Sequence, residues 1–217
     1  MSVDLPAPGA AAGSRRGLMI AVGAAVVVLA AMAYDTKVVR LGAGDSGMPQ
    51  AFSPDKFGEE QFPRIQEFIV KRAVDAPPLA TAILTDKAAA IKQYGVESST
   101  GAILPVRLTG VAGENKSGVY DLKVEGVPDE IHVRVQTGPA INGTDLRDAP
   151  GDIKFGQFKN QIEYQDAGSG VNRAMKKATL DAIDTANLTG KTLEVVGAFR
   201  LINPKNWVIT PVKVAVK

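Results

Sequence analysis

At Ile103 the hydrophobic period of this 217-residue chain changes from helical to alternating, and that change constrains the fold. Downstream, Ile103–Val111, Val119–Val124 and Ile131–Gln136 read as strands, separated by turn material at Gly113–Gly118 and Gly126–Glu130. In the third run Ile131, Val133 and Val135 point one way, while His132, Arg134 and Gln136 point the other. A helical stretch, Val171–Ala186, follows; two more strands, Thr192–Leu201 and Trp207–Val216, are joined by a turn at Ile202–Asn206. Closely spaced strands with short turns argue an antiparallel meander. Three strands, a helix and two strands is the element order of a small barrel of the oligonucleotide/oligosaccharide-binding (OB) type, with a β-sandwich as the alternative. Gly197 stands where such a strand must coil, and Pro211 in the last run predicts an edge position or a bulge.

Ahead of the barrel, residues 52–95 predict a helical arm. Ser53 offers an oxygen to cap free amides, and Pro54 suits the first turn. Phe57, Gln61, Ile65, Phe68 and Ile69 share one face, which makes Phe57 and Phe68 core residues; Pro63 predicts a kink or a restart. Pro77-Pro78 ends this element and launches a second helix, Leu79–Tyr94, closed by Gly95. The expected fold class is α+β: a helical arm (52–95) packed on an antiparallel OB-like barrel (101–217), together one exported domain, 52–217.

The N-terminus reads as an address. Residues 1–16 are small and proline-containing, which predicts a disordered cytoplasmic tail. Arg15-Arg16 then precede Gly17–Ala33, 17 uncharged residues closed by Tyr34 and Asp35. As a helix this run spans about 25 Å, the short end for crossing a bilayer. It predicts a single membrane helix or signal segment over residues 17–34. The arginines would hold the tail in the cytoplasm, leaving a single-pass inner-membrane protein with its C-terminal domain in the periplasm. Ala31-Met32-Ala33 also fits a signal-peptidase site, and a cut after Ala33 would release the domain into the periplasm. Ser14–Met19 resembles a twin-arginine signal as well. Residues 35–51 read as a tether, with Lys37–Leu41 able to pair with the body.

Composition removes several chemistries. Without cysteine there is no disulfide, no thiol catalysis, no cysteine-bound metal and no lipid attached to a cysteine. His132 is the one histidine and lies on the polar face of its strand, so it reads as solvent-facing; zinc sites need more ligands than this. A formal charge of +2 gives no case for nucleic acid. Gly168-Ser-Gly170 is too short to cradle phosphates and reads as a helix N-cap. No cofactor is expected.

Polar residues, glycines and aromatics crowd together in Thr137–Gln161, TGPAINGTDLRDAPGDIKFGQFKNQ. Asn142, Thr144, Asp145, Arg147, Asp148, Asn160 and Gln161 converge if this loop folds back. Their fixed donors and acceptors suit sugar hydroxyls, and Phe155 and Phe158 could stack on a pyranose face. The structural alternative is that Arg147 ties the loop down through Asp145 or Asp148, with Asn160 and Gln161 satisfying buried backbone groups. Asp145, Asp148 and Asp152 lack the one-residue alternation of a calcium loop. Nothing in the spacing singles out a carboxylate pair for glycoside hydrolysis. The expectation is a non-enzymatic ligand- or partner-binding loop. An exported carbohydrate-active enzyme using the same carboxylates and a structural envelope protein are the competing classes.

The blocks GPAINGTDLRDA (138–149), IKFGQFKNQIEY (153–164), LTGK (188–191), GAF (197–199) and WVITPV (207–212) resemble a family of bacterial predicted periplasmic lipoproteins of unknown function. The resemblance covers roughly Phe52–Val216. Members are often encoded beside sugar ABC-transporter genes, which implies an accessory role in carbohydrate uptake, with transporter components or a carbohydrate as partners. No catalytic residues are established for that family, so the resemblance supplies none. Many members carry a lipidated cysteine after the apolar segment; the matching region here, Ala33–Lys37, has none, which implies anchoring by the apolar helix itself.

Overall fold

The computed structural model describes residues 15–35, 51–98 and 100–217, and the expected pairing of Lys37–Leu41 lies outside them. The chain divides into two units, Met1–Gln50 and Ala51–Lys217. In the first, helix α1 (Arg15–Asp35) carries the apolar run, with Met19–Tyr34 exposed. Among the described residues no helix is long and apolar enough to cross a membrane, so the expected single-pass anchor is not supported. Helix α1 has 21 residues, of which the uncharged run supplies about 25 Å of apolar length against a hydrocarbon core of about 30 Å.

The second unit is α+β. Helix α2 (Pro54–Arg72) starts as expected, with the Ser53 hydroxyl accepting the Lys56 N–H at 3.4 Å, and it runs on through Pro63 without restarting. Strand β1 (Val74–Asp75) follows. The single helix expected over 79–94 is two, α3 (Ala76–Thr85) and α4 (Lys87–Tyr94). Asp86 makes the break: its carboxylate accepts the Ala88 and Ala89 N–H groups at 2.9 and 3.0 Å, which caps a new helix instead of continuing the old one.

The strands are β2 (Ile103–Lys116), β3 (Val119–Val124), β4 (His132–Gln136), β5 (Thr192–Arg200) and β6 (Asn206–Val216). β2 continues five residues past the expected Val111. Ser117 and Gly118 then turn the hairpin at φ 55° and 81°, the two positive values that match the strands' twist. The sheet order is β1-β2-β3-β4-β6-β5, and β5 also pairs with β2 from Ile103↔Arg200 to Val111↔Thr192. Not every pair is antiparallel: β1–β2 and β4–β6 are parallel. The second follows from arithmetic. β2, β3, β4, β6 and β5 make a circuit of five pairings, and an odd circuit cannot alternate direction throughout. Pro211 sits opposite Gly197 at a register shift, so the expected bulge is present, and β6 lies between β4 and β5 and not at an edge. A Cβ on Gly197 would stand 2.5 Å from the Thr210 carbonyl oxygen, which is why the strand needs glycine there.

Two apolar clusters result. The first gathers inward residues of the strands, including Leu104, Val106, Tyr120, Val133, Val195 and Trp207, with Leu79 and Ile83 of α3. Phe199 stacks on Trp207 at 4.6 Å between ring centres. The second lies between helices and the other face of the sheet, and includes Ile65 and Ile69 of α2 with Ile103, Ala198 and Val212. Residues 103–106 are therefore buried on both faces, whereas β2 alternates from Arg107 onward.

Candidate functional site

The chain leaves β4 through Thr137–Gly143, makes a single helical turn, α5 (Asp145–Asp148), and passes a short 3-10 turn at Phe155–Gln157. It then enters α6 (Gln161–Met175), which widens into a π-helical turn at Lys176–Leu180. α6 begins ten residues before the expected Val171, so Gly168 and Gly170 sit inside it and are no N-cap. The small size of Gly58 and Gly170 lets α6 lie against α2: a Cβ on Gly58 would come within 2.1 Å of the Gly170 carbonyl oxygen.

Side-chain amides hold the loop's backbone. Gln136 Oε1 accepts the Asn142 N–H at 2.9 Å, and its Nε2 donates to the Asn142 carbonyl at 3.1 Å. Asn172 of α6, 4% exposed, donates to the Gly143 carbonyl at 2.9 Å. These two anchors were not foreseen, because each lies on an element whose sequence period gives no hint of the loop it serves.

Thr144, Asp145, Arg147 and Asp148 do converge, and they converge on one another. Asp148 Oδ1 accepts from Arg147 Nε at 2.8 Å and lies 2.7 Å from Arg147 Nη2. Its Oδ2 accepts from Thr144 Oγ1 at 2.8 Å and from Arg200 Nη2 at 2.8 Å. Arg200 Nε donates to Asp145 Oδ1 at 3.0 Å, and its Nη1 reaches Ser98 Oγ at 3.0 Å and the Thr100 hydroxyl. Arg147 Nη1 donates to the Tyr164 carbonyl at 2.6 Å, and its guanidinium lies 3.5 Å from the centre of the Tyr164 ring. Arg147 and Asp148 are 4% and 7% exposed. Arg200, the cation that joins both carboxylates, was missed; the available signal was a charged residue closing the apolar run Val195–Phe199.

Burial sets the electrostatics. Loss of solvent pushes the Asp145 carboxyl above its ordinary range, against the pull of Arg200. Burial pulls the Arg200 guanidinium down, but its hydrogen bond to Asp148 and the charges of both aspartates outweigh that and raise it. Tyr164 is raised, first by burial.

The other candidates go elsewhere. Phe158 packs edge-on against Phe52 and Phe57 at 5.5 and 5.6 Å between ring centres, so it belongs to an aromatic cluster and is not a free stacking face. Asn160 caps α6 by accepting the Glu163 N–H at 2.9 Å, and Gln161 is the exposed first residue of that helix. The Asn142 side chain is exposed. Asp152 pairs with Arg64 of α2 at 2.6 Å. Among the described residues no three acidic or histidine side chains gather as a metal site. His132 is exposed, as its strand face required. Beside the network opens a cleft of about 260 Å³, lined by Glu97, Ser98, Asp148, Lys154, Phe155 and Tyr164. Phe155 is 50% exposed there, its ring edge-on to Tyr164 at 5.7 Å.

Comparison with known proteins agrees with this architecture. A crystal structure of an OB-fold protein from Thermotoga maritima is similar with a TM-score of 0.60 and 15% sequence identity, over 77% of this chain and 100% of that one. At that identity the likeness concerns the fold alone. No curated relative matches the chain. The model of a family described as "Predicted periplasmic lipoprotein (DUF2291)" matches residues 22–215, nearly the whole length, and the chain belongs to that family.

Proposed function

We propose that this chain is a non-catalytic periplasmic binding protein, an accessory of a sugar transporter that contacts a carbohydrate or a transporter component through the outer rim of residues 138–161. α1 serves as its export signal or tether. One observation carries the reading: Asp148 is held on both oxygens by Arg147 and Arg200, and Asp145 is held on one by Arg200. General acid–base work needs a carboxylate free to exchange a proton with substrate, and these two are committed to holding the loop. The network fixes Tyr164 and Asp148 as one wall of the cleft and leaves Phe155 half-exposed at its mouth. An exposed ring beside Lys154 and Glu97 offers a sugar an apolar face with charged hydrogen-bonding groups around it. The transporter link rests on the family resemblance.

The test is the unfolding midpoint of the full chain against a panel of mono- and oligosaccharides, since a ligand that binds only the folded state raises it by mass action. The expected result is a rise with one sugar that Phe155→Ala removes while the unliganded midpoint stays put. A panel without any rise, followed by failure of the chain to retain detergent-solubilised transporter components, would overturn the proposal. Glycoside turnover lost in Asp145→Asn would favour the enzyme instead.

A further inference from the structure

A second cavity lies away from this cleft. A groove of about 940 Å³ runs over β2, β5 and β6 beside the stretch that follows the π turn, and its walls include Leu108, Val124, Ile183, Val195, Val196 and Val214. That volume suits a small-molecule site. Among the described residues its lining contains no aromatic side chain. Sugar rings and nucleobases are commonly held by stacking on aromatic faces, so an aliphatic wall of this kind fits a flexible hydrocarbon better. The groove shares Gln66 and Lys213 with an adjoining cleft of about 300 Å³ that also carries Glu67 and Lys71.

Charge separates the two compartments. In the groove Arg107 is engaged, its Nη2 donating to the Val70 carbonyl at 3.1 Å and its Nε 3.8 Å from Asp75. Glu194 is held by Lys217 at 2.5 Å, and Glu125 lines the groove with no ion pair among the described residues. In the cleft Lys71 and Lys213 make no ion pair among the described residues, and with Glu67 they leave a net positive charge at the groove's end. A groove with an aliphatic wall that opens onto a cationic cleft has the two-part chemistry of an amphiphile. We infer that this groove binds an anionic single-chain amphiphile, its hydrocarbon tail along Ile183, Val196 and Val214 and its carboxylate or phosphate head at Lys71 and Lys213.

The test titrates the full chain with myristate calorimetrically, below the concentration at which the probe aggregates. Saturable one-to-one binding is expected. Thr109 and Ala182 line the groove and are exposed, so Thr109→Trp and Ala182→Trp can fill it without touching the core; each should weaken binding at least tenfold with circular dichroism unchanged. Lys71→Glu combined with Lys213→Glu should weaken myristate severalfold and leave tetradecyltrimethylammonium no weaker. Phe155→Ala should change nothing, which separates this site from the sugar cleft. Absence of saturable binding, or binding indifferent to both tryptophan variants, overturns the inference; equal affinity for the cationic probe overturns the head assignment. Mass spectrometry of an organic extract of the purified chain distinguishes a free fatty acid from a lysophospholipid, and either supports the site.

Discussion

Gly170 of α6 and Pro54 of α2 approach so closely that a Cβ on the glycine would lie 1.9 Å from the proline's carbonyl oxygen. Because the obstacle is backbone, no rotamer change relieves it. Gly170→Ala should therefore force the two helices apart and cost about 1–3 kcal/mol. Gly156→Ala, whose Cβ would meet nothing within 4 Å, is the control and should be close to neutral. Thermal unfolding of the two variants checks this.

Removing Asp148 leaves Arg147 without a carboxylate and Arg200 with Asp145 alone. Arg147 and Asp148 side chains are only 5% and 8% exposed, and Arg200 is 11% exposed. Breaking a buried pair by deleting one partner costs about 3–5 kcal/mol. Asp148→Ala should fall in that range, and Arg147→Ala with Asp148→Ala should cost less than the sum of the singles. Urea unfolding of the three variants gives the coupling directly.

Asp145 supplies a pH dependence of definite sign. Burial raises its folded carboxyl above the ordinary aspartate value, so the folded state holds this proton more tightly than the unfolded one. The favourable contribution is complete below the unfolded value and is lost as pH rises through the folded one. Relative to Asp145→Asn, the wild type should lose stability as pH climbs from just below 4 through that raised midpoint. Urea midpoints across a pH series would show a gap between the two proteins that is independent of pH if the carboxyl is unperturbed.

Asp86→Ala should destabilise by about 1 kcal/mol, because it frees the Ala88 and Ala89 amides at the start of α4. Asp86→Ser should recover most of it. Chemical denaturation of both variants is sufficient.

Val119–Val124 and Ile131–Gln136 were legible because these strands bury mainly one face, so that alternation survives in them. Gly197 and Pro211 were legible as a coiling point and a bulge for the same local reason. The start of α6 was not: Gly168 and Gly170 are weak helix formers, and close packing of Gly168 on Thr144 and of Gly170 on Pro54 overrides that preference. The break at Asp86 was hidden by apolar residues on both sides of it. In the candidate loop, the pairing of Arg147 with Asp148 was foreseen as one of two choices, since the residues are neighbours. Arg200 was not, because nothing local connects the end of β5 to a turn some fifty residues earlier. Its presence changes the meaning of the loop from a set of free polar groups to a clamp.

The ladder from Ile103↔Arg200 to Val111↔Thr192 has a consequence for how the protein matures. If the chain crosses a membrane unfolded and N-terminus first, β2 arrives while the strand that must lie against it is still on the other side. Contacts between such distant segments form slowly. Until β5 and β6 emerge, β2 exposes an open edge, and Ile103 and Leu104 have no sheet partner to bury them. A crossing of that kind would require β2 to be shielded until the last strands arrive.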